Sequence, residues 1–184
     1  MVRKRRVTAV AAAALIVLGA ASYAVAGAMN GPGTPPETKR FKAELNGFQE
    51  VPSVSTTGFG RFDAKLVDDE LIEFRFQYAG LEGGNSLFAH IHFAQRNVNG
   101  GVMVFICGGG SKPDPCANVE GTVTGTFVPA DVVGPNGQGI EPGSWDEFLR
   151  ALRAGHAYVT IHTQRWPGGE IRGQINDRDQ RTFE

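Results

Sequence analysis

His90 and His92 stand two residues apart in the apolar run 87–93, and His156 and His162 flank a second such run, 157–161. Side chains alternate across a strand, so residues i and i+2 share a face. In the first run Leu87, Ala89, Ile91 and Phe93 take one face, which leaves His90 and His92 on the other with Phe88. In the second, Ala157, Val159 and Ile161 face the core, while His156, Tyr158, Thr160 and His162 turn away from it. Same-face neighbours lie about 6.5–7 Å apart along a strand, and adjacent strands about 4.8 Å apart. At that spacing His90, His92 and a third histidine can converge on one ion, because imidazole nitrogens bind metal at about 2.0–2.1 Å. His162 is the expected third ligand, with His156 a further candidate. Glu170, beyond the next turn, is expected either as a carboxylate ligand or as an acceptor that orients a ring. An imidazole-rich set suits copper or zinc better than calcium or magnesium. The alternative needs no metal: a half-exposed hydrogen-bonding ladder shared with Tyr158, Thr160 and Gln174. Arg172 is the one nearby cation, either steering an anion to the site or pairing with Glu170.

Strands must hold these residues. Phe41, Ala43 and Leu45 alternate with Lys42 and Glu44. Phe62, Ala64 and Leu66 alternate with charged residues, as do Ile72, Phe74, Phe76 and Tyr78 after the acidic turn Asp68-Asp69-Glu70, and two such runs joined by a polar turn read as a β-hairpin. Further strands are expected at 87–93, 102–107, 121–128, 157–163 and 170–175. Ser144 and Glu147 spell a capping box ahead of Phe148, Leu149 and Leu152, and Gly155 stops that helix. The 25 glycines among 184 residues, about twice ordinary usage, supply many turns. The expected fold is therefore all-β: a Greek-key sandwich or barrel of about seven to eight strands with one short connecting helix. The loop 129–143 is long enough to cover the histidine face.

At about 100–200 residues per domain, the chain holds one domain with short extensions. Residues 1–26 read as an export signal: Arg3, Lys4, Arg5 and Arg6 precede an apolar run that ends in the small-x-small pattern Ala24-Val25-Ala26. The same stretch, 7–26, could instead remain as a membrane anchor. Either way the bulk of the chain is expected outside the cytoplasm, secreted or tethered to the cell surface. Residues 27–40 form a Pro/Gly-rich linker, 41–176 the β domain and 177–184 a polar tail. The formal net charge is −1, and residues 1–26 hold four basic and no acidic groups, so the remainder carries −5. That balance argues against nucleic acid as a partner. Cys107 and Cys116 suit an oxidising compartment as a disulfide, the other reading being a pair of soft metal ligands. Nothing resembles H-E-x-x-H, a nucleophile elbow or a phosphate loop, so no catalytic residue is assigned.

The motifs resemble a known family. Ala89-His90-Ile91-His92 followed by Asn99-Gly100 looks like the first signature of the chordin (CHRD) domain. The stretch from Gly155 to Thr163, followed by Pro167-Gly168-Gly169-Glu170-Ile171-Arg172-Gly173-Gln174-Ile175, is similar to the second and more specific one. Gln49-Glu50-Val51-Pro52 resembles the family's opening. Departures are Thr160 for a common Asn, Trp166 before Pro167, Ala94-Gln95-Arg96 for a more Gly-rich loop, and the local Cys107–Cys116 loop. The resemblance implies an extracytoplasmic β-sandwich or barrel and leaves the activity open. Copper/zinc superoxide dismutase is similar in one respect, a His-x-His on a strand of an exported Greek-key barrel. Its dinuclear centre uses six histidines and an Asp, and four histidines allow a mononuclear site at most. Three functions follow as expectations. The leading one is a non-enzymatic binding module whose histidine face holds copper or zinc. The others are a mononuclear copper redox enzyme of the dismutase kind and a metal-free adhesion domain that meets an extracellular protein or polysaccharide through the sheet edge or the Trp145 and Trp166 surfaces.

Overall fold

The computed structural model describes residues 39–175. Residues 1–26, read above as an export signal or anchor, nearly all of the expected linker and the tail 177–184 lie outside them. Among the described residues there are eight strands: β1 (Arg40–Asn46), β2 (Phe59–Asp68), β3 (Leu71–Ala79), β4 (Ser86–Phe93), β5 (Gly101–Cys107), β6 (Gly121–Phe127), β7 (Ala157–Thr163) and β8 (Ile171–Gln174). One helix, α1 (Trp145–Arg153), lies between β6 and β7. The strands form one antiparallel sheet in the order β5-β4-β7-β8-β1-β2-β3-β6. Its edges, β5 and β6, approach each other, so the sheet rolls into a nearly closed barrel. Strands β4, β5 and β6 followed by β7 beside β4 make a Greek key. No described helix is long and apolar enough to cross a membrane.

The alternation read from the sequence sets which face is inside. On β1, Phe41, Ala43 and Leu45 are buried and their neighbours exposed. The same period runs through β2 and β3, which meet at the Asp69-Glu70 turn in the register Phe62↔Phe76 and Ala64↔Phe74. Aromatic rings fill the interior: Phe74 stacks on Phe127 at 4.3 Å, and Phe127 meets Phe148 of α1 edge-on at 6.3 Å. The helix turns Trp145, Phe148, Leu149 and Leu152 inward. The Trp145 indole N–H donates to the Asp69 carbonyl at 2.6 Å, which ties the β2–β3 turn to the helix.

Two local expectations fail. Ser144 occupies the cap position, yet its side chain makes no capping bond, because its backbone (φ −73°, ψ 78°) lies outside the extended region from which a cap hydroxyl reaches the first turn. Glu147 pairs with Arg150 instead. The loop 129–143 packs elsewhere than over the histidines: Val133 N–H donates to the Met103 carbonyl, and Gln138 bridges Gly101 N–H and the Phe93 carbonyl. It braces the open ends of β4 and β5.

Cys107 and Cys116 form a disulfide, which removes them as metal ligands. Their loop is anchored to the barrel by Asp131, whose buried carboxylate accepts from the Ser111 hydroxyl, from Lys112 Nζ at 2.9 Å and from Val128 N–H at 3.0 Å. A bridge across nine residues removes about 2–3 kcal/mol of chain entropy from the unfolded state. The double variant Cys107→Ser/Cys116→Ser is expected to lose about that much stability in urea unfolding while keeping the far-UV spectrum of the barrel.

Candidate metal centre

Strands β4, β7 and β8 carry the site. The register sets Phe88 opposite His162, His90 opposite Thr160 and His92 opposite Tyr158, then Thr160 opposite Arg172 and Tyr158 opposite Gln174. All these residues share the face turned away from the barrel core, as alternation requires. The face is covered rather than open: every residue of β7 and β8 is buried. His90, His92 and His162 are 5%, 9% and 7% exposed, so the half-exposed ladder is excluded.

A second, smaller packed layer does the covering. Phe88 stacks on His90 at 4.7 Å and leans on His162 at 4.8 Å, and Phe105 of β5 meets His90 edge-on at 4.7 Å. His92 lies flat on Tyr158, 4.8 Å away and 7° from parallel. The Arg172 guanidinium sits 3.4 Å from the centre of the Tyr158 ring. It donates to Asn99 Oδ1 at 3.1 Å and to the Val98 carbonyl at 2.8 Å, which folds the segment 94–100 down onto the sheet. Gln174 adds bonds to the Ala94 and Gly155 carbonyls. Arg172 is 1% exposed, so it neither steers an anion from solvent nor pairs with Glu170.

Two backbone carbonyls define the imidazole tautomers. A carbonyl only accepts, so His92 Nδ1–H donates to Gly100 O at 2.9 Å and His162 Nδ1–H donates to Pro167 O at 2.9 Å. Both Nε2 atoms then carry lone pairs. His92 Nε2 lies 3.1 Å from His90 Nδ1. His162 Nε2 is buried and has no hydrogen-bond partner among the described residues. The three histidines offer ligand atoms within 4.8 Å of one another. Nitrogens at 2.0–2.1 Å from one tetrahedral ion are about 3.4 Å apart. His90 Nδ1–H donates to His92 Nε2 at 3.1 Å, a bond that an ion would replace, and closing the set takes a movement on the order of 1 Å.

Burial keeps the rings neutral, which is the form that ligates metal. It pushes His90 down to about 3, with His162 and His92 adding repulsion. His92 is pushed down to about 4, again chiefly by burial, against the opposing pull of the Gly100 carbonyl. Burial lowers His162 in the same way.

The remaining sequence candidates lie elsewhere. His156 is exposed, precedes β7 and bonds the Ala154 carbonyl. Glu170 is fully buried but joins the opposite, core-side face through Thr163, its neighbour at 2.9 Å. Its carboxylate also accepts from the Thr56 hydroxyl at 2.7 Å and from the backbone N–H groups of Glu82 and Gly83 at 2.7 and 3.1 Å. Four donors leave it no role in orienting a ring. Glu50, which sequence reasoning left without a role, takes the place beside the histidine face: Thr160 Oγ1 donates to its carboxylate at 2.6 Å. Burial raises its pKa, against the pull of Thr160 and Arg172. Only glycine at 169 permits this pairing, since a Cβ there would lie 2.4 Å from Glu50 Oε1, and its φ of +126° suits glycine as well. The adjacent motif Gln49-Glu50-Val51-Pro52 was the available signal.

The CHRD domain family model matches residues 41–175, most of the chain and nearly all of its described part. The chain belongs to the CHRD domain family. Among curated proteins no significant match is found. The two segments that carry the CHRD resemblance, around His90-Ile91-His92 and from Gly155 to Ile175, are adjacent strands of the CHRD barrel, β4, β7 and β8.

Two outcomes follow from this arrangement. Because the folded-state histidines stay neutral while the unfolded ones protonate below about pH 6.5, each withdraws stability as pH falls, at about 1.4 kcal/mol per unit. The loss begins near 6.5, ends for His92 near its folded value of about 4, and is absent above 6.5. Urea titrations across that range should show the decline, with a shallower slope in His90→Gln/His92→Gln. Separately, Glu170→Ala strands four donors, two of them in buried bonds, and should cost about 3 kcal/mol or more in the same assay.

Proposed function

We propose that this CHRD domain is a secreted or surface-tethered binding module that holds one copper or zinc ion through His90, His92 and His162. The observation that carries the reading is His162 Nε2, a buried lone pair without a donor among the described residues, grouped with two further neutral imidazoles. A buried acceptor left unpaired costs about 1–3 kcal/mol, and a cation removes that cost. The Gly100 and Pro167 carbonyls supply the outer support that metal-ligating histidines ordinarily have, leaving His162 Nε2 without a partner and turning His92 Nε2 toward His90 Nδ1. Ligand chemistry selects copper or zinc. Export is supported by the basic-apolar-small order of residues 1–26 and by the Cys107–Cys116 bridge, which suits an oxidising compartment. A binding role is favoured over dismutase-like turnover, because the one nearby cation, Arg172, is locked beneath residues 95–99.

Isothermal titration of Zn(II), Cu(II) and Cu(I) into the purified protein tests the site. The expected result is a stoichiometry of about one for at least one ion, with affinity reduced by tenfold or more in His162→Ala and in His90→Gln/His92→Gln. Stoichiometry far below one, or affinity indifferent to both variants, overturns the reading.

A further inference from the structure

The outer face of β1, β2, β3 and β6 presents a second site that does not involve the histidines. Glu44, Arg61, Gln77 and Thr122 lie directly opposite one another across the four strands and all point outward. At about 4.8 Å per strand the row is about 14 Å long. Phe59, two residues from Arg61 on the same face, flanks it with 61% of its surface exposed. Ala79, opposite Phe59 on β3, is too small to shield the ring. Together these residues and Glu120 line a groove of about 690 Å³.

The rim of this groove is strained. Val119, a β-branched residue, adopts φ +65°, a conformation rare for such side chains and found where surrounding structure imposes it. Its carbonyl accepts from Leu81 N–H, and the Tyr78 hydroxyl donates to the nearby Ala117 carbonyl at 2.7 Å. These bonds hold Glu120 at the groove mouth.

The chemistry selects the ligand. An exposed aromatic ring beside a row of planar and hydroxyl hydrogen-bonding groups matches a sugar, whose ring has an apolar face and a polar edge. Phe59 is stiff, with two rotatable bonds, and gives contact area at low entropic cost. Arg61 is already engaged by Asp63 through two bonds of 2.6 and 3.2 Å, so its charge is balanced within the sheet. Glu44 and Glu120 repel anionic ligands. We propose that this groove binds a neutral oligosaccharide of about three units, with Phe59 stacking on one sugar ring and Glu44, Gln77, Glu120 and Thr122 bonding its hydroxyls.

The test is ¹⁵N–¹H NMR titration of the purified protein with cellotriose, laminaritriose and chitotriose, with trigalacturonate as the acidic control. At least one neutral trisaccharide should bind at millimolar concentration or tighter, and move resonances of residues 59–61, 77–79 and 120–122. Phe59→Ala should weaken that binding tenfold or more with an unchanged melting temperature, since the ring is exposed. Phe48→Ala, at another exposed aromatic, should leave it unchanged. Absence of shifts with all three neutral sugars overturns the proposal. So does preference for trigalacturonate, or wild-type affinity in Phe59→Ala.

Discussion

Burying a polar sheet face is unfavourable unless each donor and acceptor on it finds a partner. Strand β7 lies under that constraint along its whole length, because neither of its faces meets water. Towards the core it is apolar except for Thr163, whose hydroxyl donates to Glu170. On the other side Tyr158, Thr160 and His162 demand partners, and the surrounding chain is arranged to provide them. Thr160 finds Glu50, His162 finds the Pro167 carbonyl, and the Tyr158 hydroxyl accepts from Gly100 N–H. Two segments distant in sequence, around Glu50 and Gly100, and the turn that follows β7 are thereby drawn onto one strand. Two acceptors on this face are left over among the described residues, His162 Nε2 and Gln174 Oε1. The first lies within the histidine cluster, where a bound cation would complete it.

The turn between β7 and β8 serves both sides of the sheet at once. Gly169 lies against Glu50 and Thr160 on the histidine side, while Glu170 enters the core side and gathers Thr56, Glu82, Gly83 and Thr163. Two consecutive residues pointing to opposite faces thus couple the cover of the histidine layer to the closure of the barrel. Arg172 plays the matching part from β8. Its guanidinium is stacked on Tyr158 and bonded to the 95–99 segment, so a cation is buried among neutral acceptors with Glu50 as the nearby carboxylate. The charge of Arg172 also opposes protonation of His92, which keeps that ring in its ligating form.

Much of this was legible in the residues themselves. Period-two alternation sorted the faces of β1 to β4 and β7, and the apolar runs between turn residues marked the other three of the eight strands. The pairing of His90 with His92 on one face needed no more than the geometry of a strand. Other readings failed where a local pattern met a tertiary demand. Ser144 and Glu147 have the spelling of a capping box, but the backbone entering α1 takes a conformation from which that cap does not form. Glu170 looked like a neighbour of the histidines by sequence distance, but it lies in the turn before β8, outside the strand alternation, and its carboxylate turns to Thr163. Glu50 stood in the motif Gln49-Glu50-Val51-Pro52, but a carboxylate far from the histidines in sequence acquires its role only from the fold.

The sequence by itself determined an all-β chain of the CHRD family, the disulfide-forming cysteines, and strand faces that bear His90 with His92 and, separately, His162. These depend on residue type and on contacts within a few residues, which alternation and motif spacing record directly. The tertiary structure decided that these faces are buried, which carbonyls hold the rings, and that Arg172 and Glu50 rather than Glu170 stand beside them. Such features arise when segments far apart in the chain compete to cover one strand, and the outcome depends on distances in space that no local pattern encodes.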